Sequence, residues 1–400
     1  MGWENSGRMP KTAGPASFEV RDAGGPVELV SGPPPYYSTE QQQLPPRRGN
    51  MAYAQTKTPW WNARYWRKRT WAIVVTIIVI ILVVCIVAPL EVAKANKYPD
   101  YTALNYTLSD SYNGTTFFDK FDYFTGYDPA SGFVHYVPQE QAESLNLTYT
   151  TTDSAFLKVD TSVGPTSSPD ASTGRFSVRV TSKTQYDSGL FVFDVKHTPY
   201  GCGTWPALWL ADPDHWPDNG EIDVMEAVNN ATDGNQMTLH TTDQCTMDVK
   251  RKMSGSTLTA DCYNATDDNA GCGVSDAVSS YGSTYNEADG GIMAMEWRAE
   301  GIRLWAFGRD GIPTDITNKS PDPSTWGEAT ADFPDTNCDI GSHFKNQSII
   351  VNIDLCGSWA GNVYAQSGCP SNCTDYVANN PDAFTNAFWE FGSFEVYKAS

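Results

Sequence analysis

The chain has 400 residues, 12% of them aromatic, with 32 Gly and 25 Pro and a net charge of −20. That charge is unevenly divided: residues 1–97 hold 12 Lys/Arg against 6 Asp/Glu, a balance of +6, and the rest hold 15 against 41, a balance of −26. So acidic a C-terminal body excludes a nucleic-acid binder, which needs a basic face for phosphate; it is no obstacle to a neutral polymer.

Residues 1–58 are polar and punctuated by "SGPPPYY" and "QQQLPPRRG". Too few apolar residues recur there to build a core, so residues 1–70 are expected to form a disordered tail. Residues 71–90, "WAIVVTIIVIILVVCIVAPL", carry no charge, and about twenty apolar residues span a bilayer. The run is too long and too far from the N-terminus for a cleaved signal peptide. "RYWRKR" at 64–69 precedes it with four positive charges. The denser basic flank predicts a cytoplasmic N-terminus and a single-pass, type II signal anchor, with Trp60, Trp61, Tyr65, Trp66 and Trp71 settling in the interface. Residues 91–114 read as a linker.

The anchor also divides two other features. Asn-x-Ser/Thr sequons begin at Asn105, Asn113, Asn146, Asn230, Asn264, Asn318, Asn346 and Asn372, all beyond it. Apart from Cys85 in the span, the cysteines (Cys202, Cys245, Cys262, Cys272, Cys338, Cys356, Cys369 and Cys373) lie beyond it too. Such one-sided placement predicts a glycosylated, disulfide-bonded domain in the lumen or at the cell surface. Eight cysteines allow 105 pairings, which spacing does not resolve.

From about residue 98 the texture is that of strands. In "GRFSVRVTSK", Phe176, Val178 and Val180 alternate with Ser177, Arg179 and Thr181, a half-buried strand. "GLFVFDV" is apolar on both faces. "GIMAMEWRAEGIRLWAFGRDG" reads as two strands joined near Glu300 and Gly301, and "QSIIVNIDL" and "FWEFGSFEVYKA" as two more. Short strands with Gly, Asn, Asp and Pro turns, and no long helical period, predict an all-β sandwich or barrel over 115–400.

"NGEIDVMEAVNN", at 219–230, sets Glu221, Asp223 and Glu226 within six residues of a strand. Period two puts Glu221 and Asp223 on one face and would put Met225, not Glu226, next. An inserted residue, a β-bulge, returns Glu226 to that face. Clustered carboxylates also suit calcium, and spacing alone leaves that open. Upstream, "GCGTWPALWLADPDHWPDNG" brings Trp205, Trp209 and Trp216; downstream, "NQMTLHTTDQC" brings His240 and "DLCGSWAG" Trp359. Tryptophans beside acids are what stacking of sugar rings and acid–base chemistry need together.

Taken together, "GTWPALW", "NGEIDVMEAVN", "NQMTLHT" and "DLCGSWAGN" resemble the catalytic region of glycoside hydrolase family 16, in particular its fungal laminarinase-like endo-1,3(4)-β-glucanases. The likeness covers most of 115–400. It implies a concanavalin A-like β-jelly-roll sandwich with a substrate cleft on its concave face and a retaining hydrolysis of β-1,3 or mixed β-1,3/1,4-glucan that needs no cofactor. It further implies that Glu221 is the nucleophile, Asp223 its hydrogen-bonding neighbour and Glu226 the acid/base. Trp205, Trp209, His240 and Trp359 are the implied substrate-binding residues, His240 as a partner near Glu226. A glucan transglycosylase would share the same covalent intermediate, and a non-catalytic glucan-binding module is the remaining alternative.

Overall fold

A computed structural model describes residues 63–168 and 170–400. The expected tail lies outside these apart from 63–70, as do Trp60 and Trp61. The apolar run forms one helix, α1 (Lys68–Ala95). At 1.5 Å per residue it is about 40 Å long, more than the ~30 Å hydrocarbon core of a bilayer. Its mean hydropathy reaches 3.4 and none of that window is buried against protein, so it is long and apolar enough to cross a membrane and is no core helix.

The strands that position the site are β1 (Tyr106–Asn113), β2 (Arg179–Tyr186), β3 (Gly189–His197), β4 (Thr204–Ala211), β5 (Glu221–Glu226), β6 (Gln236–His240), β7 (Gly291–Arg298), β8 (Gly301–Gly308), β9 (Ala331–Pro334), β10 (Gln347–Leu355) and β11 (Phe388–Ala399). They belong to two eight-stranded sheets. The front sheet has the central order β6-β5-β4-β10-β2, and the back sheet contains β9-β8-β7-β3-β11 with β1 paired to β11. The pairs among these strands are antiparallel. This is the mostly-β sandwich that the strand pattern and the resemblance predict.

Period two explains how the layers fill. From β3, Phe191, Phe193 and Val195 enter the core between the sheets. Leu190 and Val192 point the other way, into a second cluster behind the back sheet with Ile292, Ala294, Trp305 and Trp326. A strand apolar on both faces is thus covered on both. In the front sheet, Leu208, Leu210, Ile222, Leu239, Ile349, Val351 and Ile353 face the same inter-sheet core. The opposite face of that sheet carries polar side chains, tryptophan and the small Ala207 and Ala211.

Residues 91–114 do not form a separate linker. α1 runs to Ala95, and β1 is a strand of the back sheet. The text of β1, "YTLSDSYN", has little apolar pattern, and Leu108 is 51% exposed. Its place comes from the backbone ladder to β11 and from Tyr112, which is buried and shares a 2.7 Å hydroxyl contact with Tyr186. A ladder of main-chain bonds needs no hydrophobic code, which hides such a strand from pattern reading.

All eight cysteines beyond α1 are paired, as Cys202–Cys369, Cys245–Cys338, Cys262–Cys272 and Cys356–Cys373. Cys85 in α1 is free. One bond joins the ends of the segment 356–373, a second ties Cys369 within it to Cys202, and a third closes the loop 262–272. Both segments flank the front face.

Candidate active site

β5 enters through Gly220, whose φ is +74° and where a Cβ would stand 2.5 Å from the His343 carbonyl oxygen, so no side chain fits. Along β5, Glu221 pairs with Ala211 and Asp223 with Trp209 of β4, but Met225 pairs with Leu208. One residue is extra, and the same slip separates Asp223 from Glu226 against β6. The bulge lets Ile222, Val224 and Met225 all enter the core, each 0% exposed. Glu221, Asp223 and Glu226 therefore share the outer face and line one cleft of about 420 Å³.

Each acid has a different partner. Trp216, 41% exposed, donates its Nε1–H to Glu221 Oε2 at 2.5 Å. Trp205 Nε1–H donates to Glu226 Oε1 at 2.7 Å. Asp223 Oδ2 lies 3.4 Å from His240 Nε2. His240 is itself held by Asn269 Oδ1, 3.1 Å from Nδ1. The loop bearing Asn269 can lie against the imidazole because it turns at Gly271, with φ +61°, where a Cβ would come within 2.7 Å of the ring. Both ring nitrogens thus face acceptors, the arrangement of an imidazolium.

Electrostatics follow from burial. Burial raises the Glu226 carboxyl well above the usual range, the Asp223 charge raises it further, and the Trp205 hydrogen bond only partly offsets them. Burial, then Asp223, also push up Glu221, while the His240 charge and the Trp216 N–H pull it back. Repulsion between the two glutamates is thus a lesser cause than loss of water. For His240 burial opposes the charged form, but Asp223, Glu221 and Glu226 outweigh it and raise its pKa to about 9. Glu221, Asp223 and His240 are close enough to hold a cation; an imidazolium at His240 already supplies the positive charge there.

Raised folded-state pKa values have a stability consequence. The folded chain keeps protons that the unfolded chain releases, so these groups favour folding below their unfolded pKa values. That contribution is lost as pH rises from the ordinary glutamate value of about 4.5 through the folded ones, about 7 for Glu221 and about 9 for His240. Glu226→Gln removes one such cost. Each tenfold change in proton affinity is worth about 1.4 kcal/mol, and each kcal/mol about 2–4 °C at roughly this size. The variant should melt several degrees higher than the parent at pH 7.5, with the gap closing near pH 4. Thermal unfolding at both pH values checks this; an equal gap at both would show that ionisation is not the cause.

The cleft brings together Trp205, Trp209 and the three acids. His240 lies beneath them, 7% exposed, against Asp223 rather than beside Glu226. Trp359 meets Trp205 edge-on, its plane at 87° to that ring with centroids 5.9 Å apart. Trp216, read beside the acids in the sequence, lines the cleft as well, while other lining residues carried no site expectation from the sequence: Asp128, Arg179, Asn269, Asn352 and Asp354. Arg179 is stacked between Phe124 and Trp209, with its guanidinium 4.8 and 4.9 Å from the ring centroids. Asn352 Oδ1 accepts from Trp209 Nε1 at 2.8 Å. The signal for Arg179, Asn352 and Asp354 was present: each alternates with core residues on β2 or β10. Of the sequons, Asn346 donates its side-chain amide to Asp212 Oδ2 at 2.8 Å.

Comparison with known proteins places this geometry. Residues 121–397 match the family described as "XgeA-like, catalytic GH16 domain". The chain is 45% identical over 311 residues to a probable glycosidase of Schizosaccharomyces pombe, covering 76% of this chain and 72% of that protein. It is 40% identical over 313 residues to the endo-1,3(4)-beta-glucanase xgeA of Emericella nidulans, covering 74% of this chain but 48% of that protein, about half its length. GH16 Laminarinase 16A from Phanerochaete chrysosporium, solved with beta-glucans in donor and acceptor sites, superposes with a TM-score of 0.70 at 42% identity, covering 74% of this chain and 100% of that one. An elongating GH family 16 beta-1,3-glucosyltransferase superposes at 0.68, also 42% identical, covering 73% and 100%. By its sandwich, its bulged acidic strand and these matches, the chain belongs to glycoside hydrolase family 16.

Proposed function

We propose that the domain is an endo-acting hydrolase of β-1,3 or mixed β-1,3/1,4-glucan that works by a retaining double displacement. The observation that carries this is the pair of glutamates on one cleft face, separated by a bulge and held by different indole N–H groups. Glu221 is the nucleophile. The Trp216 N–H and the His240 charge favour its ionised form. Glu226, pushed up further by burial, keeps its proton and gives it to the leaving sugar oxygen. It then takes a proton from water as the glycosyl–enzyme is hydrolysed. Asp223, paired with His240, orients this cluster. Trp205 and Trp209 supply the apolar faces that sugar rings need in the cleft, Trp359 braces Trp205, and His240 acts through Asp223.

The second reading, a transglycosylase, is favoured by the likeness to an elongating glucosyltransferase. It differs only in whether water or a sugar hydroxyl attacks the intermediate. Residues 98–400 incubated with laminarin, lichenan and a short labelled acceptor distinguish the two. Hydrolysis predicts shortening products and an unchanged acceptor; an acceptor that grows would replace the first reading with the second. Products of neither kind would leave a glucan-binding module.

We also propose the surrounding organisation: a cytoplasmic tail over 1–70, an anchor within α1, and a glycosylated domain in the lumen or at the cell surface, placed to meet cell-wall glucan. The one-sided sequons and the four disulfides support it. Endoglycosidase should lower the apparent mass of the native protein, and denaturation without reductant should leave one alkylatable thiol, Cys85. An unchanged mass together with nine reactive thiols would overturn the type II topology.

A further inference from the structure

The chain leaves α1 and reaches the back of the sandwich almost at once. The Asn96 and Lys97 N–H groups still bond to the carbonyls of Val92 and Lys94. One residue later, Lys250 Nζ lies 5.3 Å from the centroid of the Tyr98 ring. The Tyr101 hydroxyl donates to Asp332 Oδ1 of β9 at 2.5 Å, and its ring sits 4.0 Å from the Arg303 guanidinium of β8. Arg298 of β7 donates to the Thr102 carbonyl at 2.8 Å and to its hydroxyl at 3.2 Å. The Tyr106 hydroxyl donates to Glu296 Oε1, again on β7, at 2.8 Å. Residues 98–106 are thus a strap pinned across three strands of the back sheet.

Period two says which face this is. Met295, Trp297, Ile302, Leu304 and Phe333 of the same strands fill the core between the sheets. Glu296, Arg298, Arg303 and Asp332 alternate with them and point outward. The cleft lies on the outward face of the other sheet. Strap and cleft are therefore on opposite sides of the sandwich, separated by two sheets that pack about 10 Å apart.

The tether is short. Residues 96–98 span at most about 11 Å when extended, and the turn of helix at 91–95 beyond the apolar run adds about 7 Å. Tyr98 is 56% exposed, with Lys94 and Lys97 before it in the chain and exposed Lys250 and Lys252 in the adjoining loop. An aromatic ring among lysines is a combination that settles at a lipid headgroup surface.

We propose that the back face, at the strap and the loop 250–252, is the surface this domain turns toward the bilayer that holds its own helix, so that the cleft opens away from that membrane. This rests on α1 being the membrane anchor proposed above. The partner is a lipid interface. The consequence is that the domain reaches glucan lying beyond its own thickness rather than chains at the lipid surface.

Energy transfer in nanodiscs tests this with the full chain carrying Cys85→Ser. A donor dye is attached at Lys252→Cys beside the strap, or at Ser358→Cys on the cleft rim, and an acceptor dye is placed on lipid headgroups. Transfer should be several-fold more efficient from position 252. Equal transfer, or more from 358, would overturn the orientation. An alkaline carbonate wash of the same preparation separates this from failure of the anchor. A chain that washes off would remove both the anchor and the orientation; a chain that stays but transfers better from 358 would remove the orientation alone.

Discussion

Glu221→Gln should reduce turnover of laminarin and lichenan by at least about 10⁴-fold, the scale on which enzymes lose activity when an attacking nucleophile is removed. The amide has nearly the same shape, and the Trp216 N–H can still donate to its carbonyl oxygen. What disappears is the negative charge that makes the oxygen nucleophilic enough to bond the anomeric carbon. Neither of the other two carboxylates on β5 is free to take over. Asp223 is tied to His240, and Glu226 is held by Trp205. Binding should survive, because ring stacking on Trp205 and Trp209 supplies most of the apolar contact. Activity assays paired with calorimetric binding of laminari-oligosaccharides check both halves. Full activity in this variant would remove the nucleophile assignment and bring the binding-module reading forward.

Glu226→Gln should fall by about 10²–10⁴-fold on natural glucan, the usual contribution of general acid–base catalysis. On an aryl β-laminaribioside the first step should be nearly spared, because that leaving group departs without much protonation. The glycosyl–enzyme then accumulates, since water has lost its base. Azide should release it, because a small anion needs no proton removed. Two displacements give net retention, so the product should be a β-glycosyl azide. An α-glycosyl azide from this variant would mean a single displacement and would sink the retaining mechanism. The pH profile supplies a second readout. Burial and the Asp223 charge raise the Glu226 carboxyl well above its ordinary value, so its loss should remove the alkaline limb of the parent's profile and leave the limb on which Glu221 ionises.

How much of this was legible in the sequence depends on the range of the interaction concerned. The apolar run at 71–90 is a local property, and a helix satisfies its own backbone, so length and composition sufficed to find α1. The alternation on β2, β3, β5 and β10 is local too. Acids at 221, 223 and 226 cannot share a strand face without an added residue, and the register slips between Asp223 and Met225. The tryptophans of β4 announced a cleft surface in the same way.

The rest depended on contacts between distant parts of the chain. Whether His240 meets Asp223 or Glu226 is settled by the register of β6 against β5 and by a loop that returns with Asn269. Asp128 and Asp354 line the same cleft from positions more than two hundred residues apart. The edge-on contact of Trp359 with Trp205 joins residues more than 150 positions apart. The one disulfide set out of 105 possible pairings exists only once the loops are folded side by side. β1, with its weak pattern, became a strand because β11 offered an unpaired edge. Periodicity reports which way a side chain points from its own backbone. It carries no information about which other backbone lies opposite, and that is decided by packing of the two sheets and the loops that close over them.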